Sequence, residues 1–155
     1  KVEDRLMNTV RSVLENKGYS TFKTPPEAEL WSALQLMARR NVGALLVMQD
    51  DTLQGILTER DYVWRVARER VDVLHIKVAE VMNPHVDKIS VSDSLDDALS
   101  LLREHRVHHL VVMDGDRVEG LISVGDVNRA LLQNQSETIE ELKILVNEQP
   151  PNLAF

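Results

Sequence analysis

Apolar residues recur along this chain first at helical and then at strand spacing, and the whole order is run through twice. Val2, Leu6, Val10, Val13 and Leu14 stand at helical intervals among charges, which predicts an amphipathic helix ending at Gly18. Residues 19–24 are suited to an extended segment. Thr24-Pro25-Pro26-Glu27 then has the makings of a helix start, with a hydroxyl for the N-cap, proline at the first position and a carboxylate three residues on. Leu30, Ala33, Leu34 and Met37 share one face of the helix that follows. Residues 43–48 form a short apolar run, closed by Gln49-Asp50-Asp51-Thr52 and resumed over 53–57, so two strands joined by a tight turn are expected. From Thr58 a further helix is predicted, turning Tyr62, Val63, Val66 and Ala67 inward.

The second half repeats this order. Residues 86–91 are again extended, Leu95, Ala98, Leu99 and Leu102 stand where Leu30, Ala33, Leu34 and Met37 stood, and Val107, Leu110, Val112 and Met113 match Val42, Leu45, Val47 and Met48. Each pair is 65 residues apart. An ungapped match from Val13/Val78 to Asp61/Asp126 predicts a duplicated β-α-β-β-α unit, each copy too small for a good core and so packed on the other. The expected organisation is an N-terminal helix over 1–18, unit one over 19–70, a linker over 71–79, unit two over 80–132 and a C-terminal helix and tail over 133–155. Val71, Val73, Leu74 and Ile76 would pack the linker down. Past Leu132 a polar patch, 133–137, sets off a last short helix carrying Ile139, Leu142 and Leu145, before a frayed tail over 149–155.

Composition narrows the function. A chain of 155 residues with 43% hydrophobic content can bury roughly two thirds of its unfolded surface. The formal charge of −7 is a poor match for a polyanion, so no nucleic-acid partner is expected. The absence of cysteine excludes a disulfide framework, a cysteine zinc site and a thiol nucleophile, and accords with a cytoplasmic location. No apolar run approaches the roughly twenty residues of a membrane span, so no membrane partner is expected, and nothing at the start resembles a signal peptide. The chain begins at Lys1, which leaves a preceding targeting segment open.

The candidate chemistry lies in a doubled heptapeptide, Gly55-Ile56-Leu57-Thr58-Glu59-Arg60-Asp61 and Gly120-Leu121-Ile122-Ser123-Val124-Gly125-Asp126. Two readings fit it. Hydroxyl, two residues and aspartate at a strand-to-helix junction is a capping box, with Thr58 or Ser123 accepting from the third helical N–H and the aspartate reaching back. The same junction suits a nucleotide, because free N–H groups at a helix start attract phosphate and the aspartate can accept from two ribose hydroxyls. The glycine ahead of two apolar residues in both copies suggests close approach of something to the strand, a ligand being one such object. Arg60, in a first turn that disfavours cations, is a candidate phosphate contact; its counterpart is Gly125, so the two sites would not be equivalent. His105, His108 and His109 lack a partner at metal-ligand spacing, and no nucleophile stands beside a base, so neither a metal nor a catalytic site is expected. Trp31 and Trp64 are read as packing or interface residues.

These residues resemble the tandem cystathionine-β-synthase (CBS) domain pair, or Bateman module, whose mark of glycine, apolar, any residue, threonine or serine, two residues and aspartate is met by both heptapeptides. Asn41-Val42-Gly43-Ala44-Leu45-Leu46-Val47 and Thr58-Glu59-Arg60-Asp61-Tyr62 are similar to stand-alone bacterial and organellar members. The resemblance implies an α+β fold of two β-α-β-β-α units packed through their sheets and flanked by terminal helices. It implies two clefts for an adenosyl ligand (AMP, ATP or NADH), no required cofactor, and a disc-like homodimer, for which Trp31, Val63 and Trp64 supply apolar surface. Asp61 and Asp126 would hold ribose, Thr58 and Ser123 would lie near phosphate, and adenine would lie against Thr21 to Thr24 and Val86 to Ile89. Thr21, Thr24, Val86, Ile89 and Arg60 thus join the candidate site, as does His108, which stands where the family often carries arginine or proline. The function expected is a non-catalytic regulatory module that signals nucleotide binding to a partner protein. The alternatives are an unliganded dimerisation module and the regulatory fragment of a larger enzyme.

Overall fold

The two sheets of the molecule repeat each other pair for pair. The computed structural model describes residues 8–148, so Val2, Leu6 and the tail over 149–155 lie outside the described residues. Helix α1 (Val10–Lys17) leads into β1 (Lys23–Thr24), α2 (Leu30–Arg40), β2 (Ala44–Gln49), β3 (Thr52–Thr58) and α3 (Glu59–Glu69). A 3₁₀ turn (Val78–Glu80) then opens the second copy: β4 (Lys88–Ser90), α4 (Leu95–His105), β5 (His109–Asp114), β6 (Arg117–Ser123) and α5 (Val124–Glu148). β1 pairs parallel to β2 and β2 antiparallel to β3, with Lys23 opposite Leu46 and Ala44 opposite Thr58. In the second sheet Lys88 lies opposite Val111 and His109 opposite Ser123, and even the bulges, Val47/Met48 and Val112/Met113, keep the offset of 65. The architecture is α+β, as expected.

β2 and β5 are buried on both faces, which is why they read as continuous apolar runs and not as alternating ones. Leu45, Val47 and Leu57 turn toward α2 and join Leu30, Ala33 and Met37. Leu110, Val112 and Ile122 make the same core with Leu95, Ala98 and Leu102 of α4. On the opposite faces Ala44, Leu46, Met48 and Ile56 of one sheet meet Val111 and Leu121 of the other.

Each unit also receives a segment from outside its own repeat. Val10, Val13 and Leu14 of α1 pack into the second core, and Val78 and Val81, which precede the second unit, pack into the first. The backbone fixes both exchanges: Val10 N–H donates to the Asp93 carbonyl at 2.9 Å, and Val78 N–H to that of Ala28 at 2.9 Å. Arg11 and Ala79 repeat the relation toward Val91 and Pro26. Val10 is therefore the counterpart of Val78, an offset of 68. The ungapped match from Val13/Val78 is corrected here, because a two-turn helix in one copy replaces a single 3₁₀ turn in the other.

Three further expectations are corrected. The helix foreseen at Thr24 begins at Leu30, with Glu29 as N-cap and no side-chain cap. Thr24 precedes proline, which disfavours helical backbone, and residues 25–28 form a turn held to the linker by the Val78 and Ala79 N–H groups. In α3 no residue is buried, Val63 and Ala67 face outward, and Tyr62 and Val66 are half-buried, since among the described residues no helix covers α3 as α1 covers α5. The last helix is not separate: α5 runs unbroken to Glu148, because residues 133–137 contain no glycine or proline and Gln133 bonds Glu137 at 3.1 Å along the helix. In the linker Val73 and Ile76 pack on the first core, Val71 is half-buried and Leu74 is exposed.

The doubled glycine has an internal cause. A Cβ on Gly55 would lie 2.6 Å from the Asn83 carbonyl oxygen, whose partner Ile56 exchanges two backbone hydrogen bonds with Asn83 at 2.8 and 3.0 Å. On Gly120 it would meet the Leu14 side chain at 3.0 Å. The object lying against each strand is the exchanged segment, not a ligand. Gly55→Ala should therefore cost about 1–3 kcal/mol or more in urea unfolding, since backbone must move, and Gly120→Ala less, since Leu14 can turn aside. Equal costs for the two would contradict this.

Candidate ligand-binding clefts

Thr58 ends β3 and caps α3, and the structure closes the full box: Thr58 Oγ1 accepts from Asp61 N–H at 3.2 Å, and Asp61 Oδ2 accepts from Thr58 N–H at 3.0 Å and from Thr58 O–H at 2.7 Å. Asp61 Oδ1 has no hydrogen-bond partner among the described residues. Ser123 and Asp126 make the same reciprocal pair at 3.1 and 2.8 Å. There the carboxylate is used further: Lys17 Nζ donates to Oδ2 at 2.8 Å and Arg129 Nη1 to Oδ1 at 3.3 Å. The capping reading is thus correct for both copies, and it leaves a carboxylate oxygen over only at Asp61.

Each box opens on a cleft walled by the other unit. The Asp61 cleft, of about 300 Å³, takes Thr58, Glu59, Arg60 and Asp61 from the first unit, and His85, Val86, Asp87 and residues 106–109 from the second half. The Asp126 cleft, of about 260 Å³, takes Ser123 and Asp126 from the second unit, and Lys17, residues 20–22 and residues 41–44 from the first half. Residues 20–22 and 41–44 are the 65-offset counterparts of 85–87 and 106–109, so a pseudo-two-fold relates the clefts. Their chemistry differs. Arg106, Val107, His108 and His109 wall the first where Asn41, Val42, Gly43 and Ala44 wall the second. Both walls follow a helix that ends in left-handed backbone, at Asn41 (φ 51°) and at Arg106 (φ 56°).

The structure brings Thr58, Arg60, Asp61, Val86 and His108 together in the first cleft, and Thr21, Ser123 and Asp126 in the second. Thr24 and Ile89 are corrected: both are buried, Thr24 on β1 opposite Val47 and Ile89 within the second core. The extended segments reach the clefts only through 20–22 and 85–87, before strand pairing turns the chain inward. Sequence reasoning missed Arg106, His85, Lys17 and His109 as cleft residues; His109 lines both clefts. Projecting the repeat across the pseudo-two-fold would have found Arg106 and His85, because each cleft pairs a motif with the other unit's turn.

Two cleft groups have shifted titration. Burial, and then the charge of His108, push the His109 imidazole below its ordinary pKa against the opposing pull of Asp126 and Asp61. Burial opposes ionisation of Asp126, but hydrogen bonds from Lys17 and the Ser123 N–H outweigh it and hold this carboxyl below the usual aspartate value. Both depressed values give stability that is present above the unfolded pKa and lost as pH falls through the folded one. Denaturant unfolding should therefore show stability falling below about pH 6.5 through His109 and again below about pH 4 through Asp126. His109→Ala, which installs the residue found at the counterpart Ala44, should reduce the upper fall and leave the lower one; an unchanged upper fall would contradict the assignment.

A family model for the CBS domain matches residues 20–68 and 78–133, well over half of the chain. Among curated proteins, the CBS domain-containing protein YhcV of Bacillus subtilis is 31% identical over 111 residues, covering 72% of this chain and 79% of that one. A 33.4 kDa protein of Thermofilum pendens is 30% identical over 132 residues, 81% of this chain. The chain spans only 43% of that relative's length, and 25% of an inosine-5'-monophosphate dehydrogenase of Staphylococcus haemolyticus to which it is 27% identical. Among solved structures, the CBS domain NE2398 superimposes with a TM-score of 0.77 at 37% identity, covering 81% of this chain and 98% of that one. With both motifs in place, both sheets in register and both segments matched, the chain belongs to the CBS-domain family as a tandem pair.

Proposed function

We propose that this CBS pair is a non-catalytic regulatory module whose Asp61 cleft takes an adenosyl ligand of the AMP, ATP or NADH class and passes its occupancy to a partner protein. The observation that carries this reading is the divided use of the Asp61 carboxylate. Oδ2 is fixed by the Thr58 N–H and O–H, and Oδ1 is left to accept the O–H groups of a vicinal diol. Around it Arg60 and Arg106 offer cations for phosphate and His108 a ring nitrogen, at the start of α3. A cleft of about 300 Å³ stands at the lower end of the usual range for small-molecule sites. Because its walls come from both units, a bound ligand ties one unit to the other, which is the differential contact that signalling requires.

Titration with AMP, ATP and NADH tests this. A ligand at a hundred times its Kd adds about 2.7 kcal/mol, or roughly 5 to 10 °C in Tm for a chain of this size. Asp61→Ala should lose that response and also about 0.5–2 kcal/mol of unliganded stability with its capping box. Asp61→Asn separates the two roles: its carbonyl can still accept from Thr58 N–H, while its NH₂ cannot accept from ribose. Affinity should fall at least tenfold in Asp61→Asn with the smaller loss of unliganded stability. Flat melting curves with every nucleotide, or unchanged affinity in Asp61→Asn, would contradict the reading.

The proposed assembly is a homodimer. Trp31, Val63 and Trp64 on α2 and α3 are 44%, 56% and 48% exposed, and the groove between these helices, about 470 Å³, is lined mostly by apolar residues, Trp31, Leu34, Met37 and Tyr62 among them, with Gln35, Asn41 and Glu59 beside them. Two-fold association is the commonest way to cover such a surface. Light scattering should give twice the chain mass of 17.6 kDa, and Val63→Glu with Trp64→Glu should halve it. A monomeric mass for the unsubstituted chain would contradict this.

A further inference from the structure

The two clefts are related by a pseudo-two-fold, yet the carboxylates at their mouths are in different states. In the first unit the carbonyl of Ile56 is occupied by the backbone N–H of Asn83, at 2.8 Å, because Asn83 pairs with Ile56 in an antiparallel bridge. In the second unit the exchanged segment is α1, whose first donors, Val10 and Arg11, go to Asp93 and Val91 and whose C-terminal end closes on itself, Gly18 N–H on the Leu14 carbonyl at 2.8 Å. The counterpart carbonyl, that of Leu121, is reached by a side chain: Lys17 Nζ donates to it at 2.8 Å and to Asp126 Oδ2 at 2.8 Å. Arg129 takes Asp126 Oδ1 at 3.3 Å.

We propose that Lys17 closes the second cleft, so that each chain takes one adenosyl ligand, at Asp61, and that Lys17 is the residue that sets this number. The inference rests on the nucleotide reading above. A ribose diol entering the second cleft would have to displace an ammonium that satisfies a carboxylate and a backbone carbonyl together. The pair is sheltered, with the Asp126 side chain 14% exposed and that of Lys17 33%, so it is screened less than a surface ion pair. The phosphate side repeats the asymmetry. Where Arg106 and His108 stand in the first cleft, the second offers Asn41 and Gly43, and Gly125 stands in place of Arg60. Removing the ammonium leaves the Leu121 carbonyl to cleft water and leaves Asp126 Oδ2 with the Ser123 N–H, as Asp61 Oδ2 keeps the Thr58 N–H; Oδ1 is then held only by Arg129, at 3.3 Å and with its side chain 74% exposed, which a ribose diol can displace more readily than the ammonium.

The test is the number of AMP molecules bound per chain, by calorimetric titration of the full chain and of Lys17→Met, Lys17→Arg and Asp61→Asn. The unsubstituted chain and Lys17→Arg should bind one, Lys17→Met a second one more weakly, since the second cleft has no counterparts of Arg60 and Arg106, and Asp61→Asn none at the concentrations that saturate the first site. Lys17→Met combined with Asp61→Asn should bind one. Two AMP molecules on the unsubstituted chain would overturn the proposal and leave the nucleotide reading standing, since Lys17 would then have swung aside to serve phosphate. A single AMP on a folded Lys17→Met would overturn it as well. No binding by any of the proteins would overturn both the proposal and the reading beneath it. The count on the unsubstituted chain decides the first point even if a variant fails to fold.

Discussion

The layer in which Ala44, Leu46, Met48 and Ile56 lie against Val111 and Leu121 is the constraint on which the rest of the molecule depends. A three-stranded sheet with one helical face leaves its other face apolar, and among the described residues that face is covered by the other unit's sheet. Burying side chains of this size is worth about 1.5–3 kcal/mol each, so the sheets hold each other as a joint core and not as an incidental contact. Two consequences follow for the site. The ends of β3 and β6, with Thr58 and Ser123, are held beside the other unit's turn, and a cleft forms at each end of the layer from residues far apart in sequence.

The exchange of leading segments reinforces this layer and breaks its symmetry. Val78 and Val81 enter the first core through a single 3₁₀ turn, and Val10, Val13 and Leu14 enter the second through two turns of α-helix. The tighter passage brings backbone against Gly55, and the helical one brings only the Leu14 side chain against Gly120. It also decides who satisfies the carbonyl at the strand end, Asn83 N–H in one case and Lys17 Nζ in the other. A difference of three residues in the length of a leading segment thereby reaches the carboxylate that faces the cleft.

Much of this was legible in the residues. The 65-residue offset, the hairpins, the capping pairs at Thr58/Asp61 and Ser123/Asp126 and the α+β class all follow from local pattern, because strand alternation and cap chemistry act over a few residues. Exchange is long-range, so α1 could be predicted as amphipathic while the core it serves could not, and the doubled glycine could be read as a close approach without showing that Asn83 and Leu14 make it. Thr24 and Ile89 were placed in the clefts because a resemblance locates a segment but not the face each of its residues presents. Val63 and Ala67 were turned inward because periodicity marks an apolar side without saying whether the chain itself covers it. Lys17 has no signal in its own neighbourhood; its partners lie more than a hundred residues away.

A ligand held between Asp61 and residues 106–109 would couple the two units across the layer that joins them, which is the central claim here. Backbone amide shifts during an AMP titration test it most directly, since they report both halves of the cleft residue by residue. Amides of Thr58, Arg60 and Asp61 and those of Val86, Arg106, His108 and His109 should shift together with one midpoint, while Ser123 and Asp126 stay in place. Shifts confined to one unit, or centred on Asp126, would contradict it.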